Sequence, residues 1–170
     1  MSGCHPPEPG KSLLILKNRS SDSADKLVWK WRNSGGPVTI GDLGDPTATT
    51  DYALCLYAGG STISLAIPAG SQWHLKGAFK GYKFVDLSRL PDGVSKAKVT
   101  TGSGDVPLAM VKGGGVNLPD ALVPPLPLPV IAQMVNSHGV CFSAFYDAGT
   151  VIRNDMKQFK AKATAASALP

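Results

Sequence analysis

Apolar and polar residues alternate in short stretches along this chain, each closed by a turn signal, and that two-residue period is the mark of half-buried strands. The stretch 12–17 is a compact apolar run, and 26–32 alternates so that Leu27, Trp29 and Trp31 share one face while Lys26, Lys30 and Arg32 share the other. Further strands are expected at 52–57, 62–67, 78–85, 94–100, 107–112, 130–135 and 140–146. Ala58-Gly59-Gly60-Ser61 and Asn136-Ser137-His138-Gly139 read as hairpin turns, and Pro91-Asp92-Gly93 as a further turn. The segment 118–129 carries five prolines, which cannot donate ladder hydrogen bonds, so it reads as an extended crossover on the surface. Beyond residue 150 the pattern is double. Phe159-Lys160-Ala161-Lys162-Ala163 alternates like a last strand, while Ile152, Met156 and Phe159 have helical spacing.

About nine or ten short strands, with no 10 to 15-residue helical patterns between them, predict an all-β fold, an antiparallel β-sandwich. One domain is expected over residues 12–163, preceded by a Pro-rich tether at 1–11 and followed by a flexible tail at 164–170. The length of 170 residues and the 43% apolar content suit one core. The 19 glycines and 14 prolines fall between apolar runs, and only 17% of residues are charged, which suits strands and turns better than exposed helices.

The net charge of +5 raises nucleic acid as a partner, but the lysines are scattered along the chain without a basic block, so no nucleic-acid role is expected. No apolar run reaches the roughly 18 residues that a spanning helix needs, so no transmembrane segment is expected and the chain reads as soluble. Ser2-Gly3-Cys4 resembles the end of a bacterial lipoprotein signal without its preceding apolar stretch, which makes Cys4 a lipidation candidate. Cys55 and Cys141 both sit in strand-like contexts. They either pair across strands or remain buried thiols, and the disulfide is the expectation.

Catalytic patterns are missing. Gly10-Lys11-Ser12 lacks the earlier glycine and the preceding strand of a phosphate loop. Asp42, Asp45 and Asp51 do not have EF-hand spacing and read as turn caps. His74 and His138 have no evident carboxylate partner, and there is no Gly-x-Ser-x-Gly elbow. No Cys-x-x-Cys spacing supports zinc. The chain is therefore expected not to be an enzyme and to use no metal or cofactor. Trp29, Trp31 and Trp73 are candidates for a sugar-stacking platform if their faces are exposed, against the more ordinary expectation of core packing.

The runs Gly44-Asp45-Pro46-Thr47-Ala48-Thr49-Thr50-Asp51-Tyr52-Ala53-Leu54-Cys55-Leu56-Tyr57, Lys80-Gly81-Tyr82-Lys83-Phe84, Pro91-Asp92-Gly93-Val94, Val111-Lys112-Gly113-Gly114-Gly115 and Val140-Cys141-Phe142, together with Trp73, are spread over positions 44–142. They resemble a family of uncharacterised secreted or surface domains from delta-proteobacteria and their relatives. The resemblance implies export, a β-fold and cysteines at positions like Cys55 and Cys141. Before Trp73 the chain departs from it, with Ser71-Gln72 where an additional cysteine pair often stands, so a second disulfide is not expected. The expected function is a non-enzymatic structural or assembly subunit at the cell surface or in the periplasm, docking on a larger envelope complex or filament and in reach of a lipid anchor. Its expected partners are protein or further copies of itself, and polysaccharide in the alternative reading of a carbohydrate-binding module.

Overall fold

The computed structural model describes residues 4–33, 38–102, 107–120 and 123–163. Among the described residues twelve strands are formed: β1 (Ser12–Lys17), β2 (Lys26–Arg32), β3 (Tyr52–Ala58), β4 (Ser61–Ile67), β5 (Trp73–Lys76), β6 (Gly81–Val85), β7 (Val94–Thr100), β8 (Leu108–Gly114), β9 (Val130–Asn136), β10 (Cys141–Tyr146), β11 (Val151–Asp155) and β12 (Gln158–Ala163). They make two antiparallel sheets. The larger has the order β11-β12-β1-β2-β8-β7-β6-β5 and the smaller β10-β9-β3-β4.

The all-β sandwich expected from the alternation is the fold observed. Leu14, Leu16, Leu27, Trp29, Trp31, Val111 and Phe159 point inward from the large sheet, and Leu54, Leu56, Leu65, Met134 and Phe142 from the small one. The two layers meet ring to ring and hydroxyl to hydroxyl. Trp31 packs edge-on against Phe142 at 4.9 Å between centroids, and Ser12 Oγ lies 2.6 Å from the Tyr146 hydroxyl. Burial of apolar area on this scale stabilises a fold at about 25 cal/mol per Å² removed from water.

Two features of the sequence set the local geometry. Gly59 and Gly60 both have positive φ, 56° and 82°, as the two-residue turn joining β3 to β4 requires. At Gly114 a Cβ would run into the Asp25 carbonyl, so only glycine lets β8 close against the start of β2.

Three expectations are revised. The stretch 78–85 yields a strand only from Gly81, with β5 hairpinned to it through a turn in which Ala78 and Phe79 take positive φ. The helical spacing of Ile152, Met156 and Phe159 is incidental, because β11 and β12 form an antiparallel hairpin that leaves Ile152 and Met156 exposed. Of the stretch 1–11 expected as a tether, the described residues from Cys4 onward are pinned to the sheets. His5 pairs in parallel with Phe142, its N–H donating to the Cys141 carbonyl at 2.8 Å and its carbonyl accepting from Ser143 N–H at 3.0 Å, and Gly10 N–H donates to the Ala163 carbonyl. The proline-bearing crossover does carry the chain from β8 to β9, and Leu126 exchanges two hydrogen bonds of 2.8 Å with the Asn154 side chain. The expected flexible tail lies outside the described residues.

Candidate binding face

The indole rings do not form an exposed platform. Trp29 and Trp31 are 0% exposed and Trp73 is 2% exposed. Trp73 donates from Nε1 to the Pro68 carbonyl at 3.0 Å and packs between Tyr52 and Phe84. This corrects the sugar-stacking expectation for all three residues: alternation with polar neighbours turns the rings inward, where they fill the core.

The cysteine expectations are also corrected. Cys141 is bonded to Cys4, with 4.6 Å between their Cα atoms, and Cys55 is a free, half-buried thiol. Cys55 sits on β3, which is separated from β10 by β9, so two strand spacings of about 4.8 Å each put it out of disulfide reach of Cys141. Cys4 Sγ is spent in this bond, and the same sulfur cannot carry a thioether-linked lipid.

The aspartates read as turn caps do bond the backbone. Asp42 accepts from Thr39 N–H at 2.7 Å and from the Thr39 hydroxyl, completing a capping box on the helical turn α1 (Ile40–Leu43), and these bonds hold its carboxyl below the usual range. Asp45 accepts from Thr47 N–H, and Asp51 from Ala69 N–H. Asp86 behaves alike: the Ser88 hydroxyl, with further backbone donors, lowers its pKa. His74 lies on β5 opposite Lys83, and His138 in the β9–β10 turn, so the two imidazoles belong to different sheets.

With these carboxylates committed to turns, the outer face of β12, β1, β2, β8, β7 and β6 carries cations. Residues opposite one another in an antiparallel ladder share a face, so the register reads off three rows across the outer surface. One row runs Lys162, Leu13, Lys30, Met110, Lys98, Lys83, His74. The next runs Lys160, Ile15, Val28, Lys112, Lys96, Val85. A shorter third runs Gln158, Lys17, Lys26, Gly114. Nine lysines stand in these rows, and between β12 and β5 they hold no Asp or Glu. At the β11 edge the rows end in Arg153 and Asp155, an exposed pair at 2.6 Å in which the guanidinium lowers the carboxyl pKa.

A cleft of about 490 Å³ opens in the middle of this face. Leu13, Ile15 and Val28 line it with half-buried apolar groups, and Lys26, Lys30 and Lys112 with cations. One wall is the short 3-10 turn Asp22–Ala24 with Asp25, whose carboxylate accepts from Arg19 N–H at 2.7 Å. The other wall includes Arg89, whose backbone has a positive φ of 57° and whose carbonyl accepts from Gly93 N–H and the Asn117 side-chain amide. The volume lies in the range of ligand sites, and the mixture of apolar lining and cations suits an anionic group carried on an apolar frame.

Sequence reasoning missed this face because its lysines are far apart in the chain. Lys30 and Lys112 reach neighbouring positions only through the β2–β8 ladder. The available signal was the alternation of lysine with apolar residues in 26–32, 94–100 and 158–163, which sends the lysines of each strand to one side. No protein-family model, no curated protein and no solved structure matches the chain, so the resemblance described above rests on the residues quoted for it. Among the described residues no helix is long and apolar enough to cross a membrane.

Proposed function

We propose that this chain is a non-catalytic, exported domain that docks on an anionic partner at the cell surface or in the periplasm, as a structural or assembly element of a larger envelope complex. The observation that carries the reading is the convergence of nine lysines on one sheet face, where among the described residues the carboxylates are Asp155 at the β11 edge, paired with Arg153, and Asp25 in the cleft wall, bonded to Arg19 N–H. A field of one sign over a broad face raises the local concentration of an oppositely charged partner and steers its approach, and it favours no single reaction. Export is supported by the Cys4–Cys141 disulfide, since such bonds persist in oxidising compartments. The resemblance to secreted and surface domains agrees with it.

The reading is tested by co-sedimenting the purified domain with isolated cell-envelope fragments at rising ionic strength. Binding is expected to weaken steeply with salt, because solvent-exposed charges are screened over about 8 Å at physiological ionic strength. It is also expected to fail for the charge reversal Lys26→Glu/Lys30→Glu. Binding that ignores both salt and the reversal, or no binding at low salt, would overturn the proposal.

A further inference from the structure

We infer that the partner lying in the cleft is an acidic polysaccharide, a chain of sugars bearing carboxylates, crossing the strands of the large sheet. This rests on the docking role of the basic face and names its occupant. Along the second row the positions alternate in kind: Lys160, then the apolar pair Ile15 and Val28, then Lys112 and Lys96. Neighbouring strands stand about 4.8 Å apart, close to the advance of one sugar unit along an extended glycan. A pyranose seated with its C–H face over Ile15 and Val28 therefore has ammonium groups before and after it for carboxylates on its own and the following unit. Lys30, in the adjacent row, closes one side.

Other polyanions fit less well. Single-stranded nucleic acid is held by bases stacked on aromatic rings together with backbone cations. The three rows contain no Phe, Tyr or Trp, and their one aromatic ring is His74 at the far end. Protein interfaces are depleted in lysine at their cores, whereas lysine dominates here. A membrane surface asks for apolar groups that project among the headgroups. The large exposed apolar side chains of this sheet are Leu75, Phe79, Ile152 and Met156 towards its two edges and Leu87, Leu90 and Val116 in the loops near Arg89, and none of them lines the cleft. A recessed apolar floor with a cationic rim is matched by a polymer whose repeating unit has one apolar face and one charge.

The test measures binding of the full chain to polygalacturonate, neutral dextran, oligothymidylate and phosphatidylglycerol vesicles in one buffer, for the native sequence and for three variants. Polygalacturonate is expected to bind, and dextran not. Lys30→Gln/Lys112→Gln should weaken polygalacturonate binding about tenfold and flatten its salt dependence. Val28→Thr, which changes the floor and no charge, should weaken polygalacturonate while leaving any residual oligothymidylate binding unchanged. Circular dichroism checks each fold, and if the first double variant does not fold, Lys96→Gln/Lys160→Gln at the ends of the row repeats the measurement. Oligothymidylate or vesicles binding as tightly as polygalacturonate, or dextran matching it, would overturn the polysaccharide and leave the basic docking face standing. Polygalacturonate binding that ignores the lysine variants would overturn the inference and count against the basic face as the docking surface. Failure of every polyanion to bind would overturn both.

Discussion

Burial decides what the aromatic residues do. Trp29 and Trp31 look inward from β2 and are fully buried, and among the described residues the Trp31 indole N–H has no hydrogen-bond partner. Tyr146 and Tyr52 are buried as well, but both are satisfied, by Ser12 Oγ and by the Leu43 carbonyl, to which Tyr52 donates at 2.7 Å. Burial pushes both phenols far above their ordinary pKa of 10.0. For an acid whose folded pKa is raised, the contribution to stability is complete below the unfolded value and is lost as pH rises past it, because the unfolded chain ionises first. Thermal unfolding is therefore expected to be unaffected by these groups below pH 10 and to shift to lower temperature above it, with a slope of about 1.4 kcal/mol per pH unit for each buried phenol. Ultraviolet titration checks the same point: tyrosinate from these two residues should appear only with unfolding, and their reversible ionisation in the native state near pH 10 would contradict the burial. Most of this residue-scale picture was legible in the sequence, since the alternation around Trp29 and Trp31 announces an inward face. The identity of the cysteine partner was not, because a pairing depends on which strands become neighbours.

At the scale of elements, the least expected feature is the amino-terminal strap. Residues 4–10 lie along the molecule, bonded at His5 to β10 and closed by the Cys4–Cys141 bridge across 137 residues of chain. β10 is an edge strand of the small sheet, and an open edge invites pairing with another chain, so the strap covers a surface that would otherwise be exposed. His5 also stacks on Phe142, whose ring reaches the core. Cys4→Ser is expected to lower the unfolding free energy by about 2 to 5 kcal/mol, as for a native bridge closing a long loop, and to speed hydrogen exchange at Ser143 N–H. An unchanged denaturation midpoint would show that the strap adds nothing to the fold. The strap was hidden because Pro6, Pro7 and Pro9 point to extended chain, and extended chain lies on a sheet edge or in solvent with the same local signature. The β11–β12 hairpin was ambiguous for a related reason: in a short segment at the edge of a sheet, exposed Ile152 and Met156 imitate one face of a helix.

At the scale of the whole molecule the two outer faces differ in kind. The small sheet turns outward Ala53, Cys55 and Tyr57 on β3 and Ile131, Gln133 and Val135 on β9, with no charge among them. The large sheet turns outward its rows of lysine. A net charge of +5 understates this separation, because many of the compensating carboxylates are held in turns by backbone N–H groups. The sandwich itself followed from strand periodicity, but the basic face did not, since a list of scattered lysines acquires meaning only when the register of β12-β1-β2-β8-β7-β6 is known. The central claim is that this face is where the molecule binds. The most direct measurement is amide chemical-shift mapping of the isotope-labelled domain as polygalacturonate is added. Shifts concentrated on β1, β2, β7 and β8 around Ile15, Val28, Lys30 and Lys112, and reversed by salt, are the predicted result. Shifts confined to β3, β4 and β9, or none at any concentration, would contradict it.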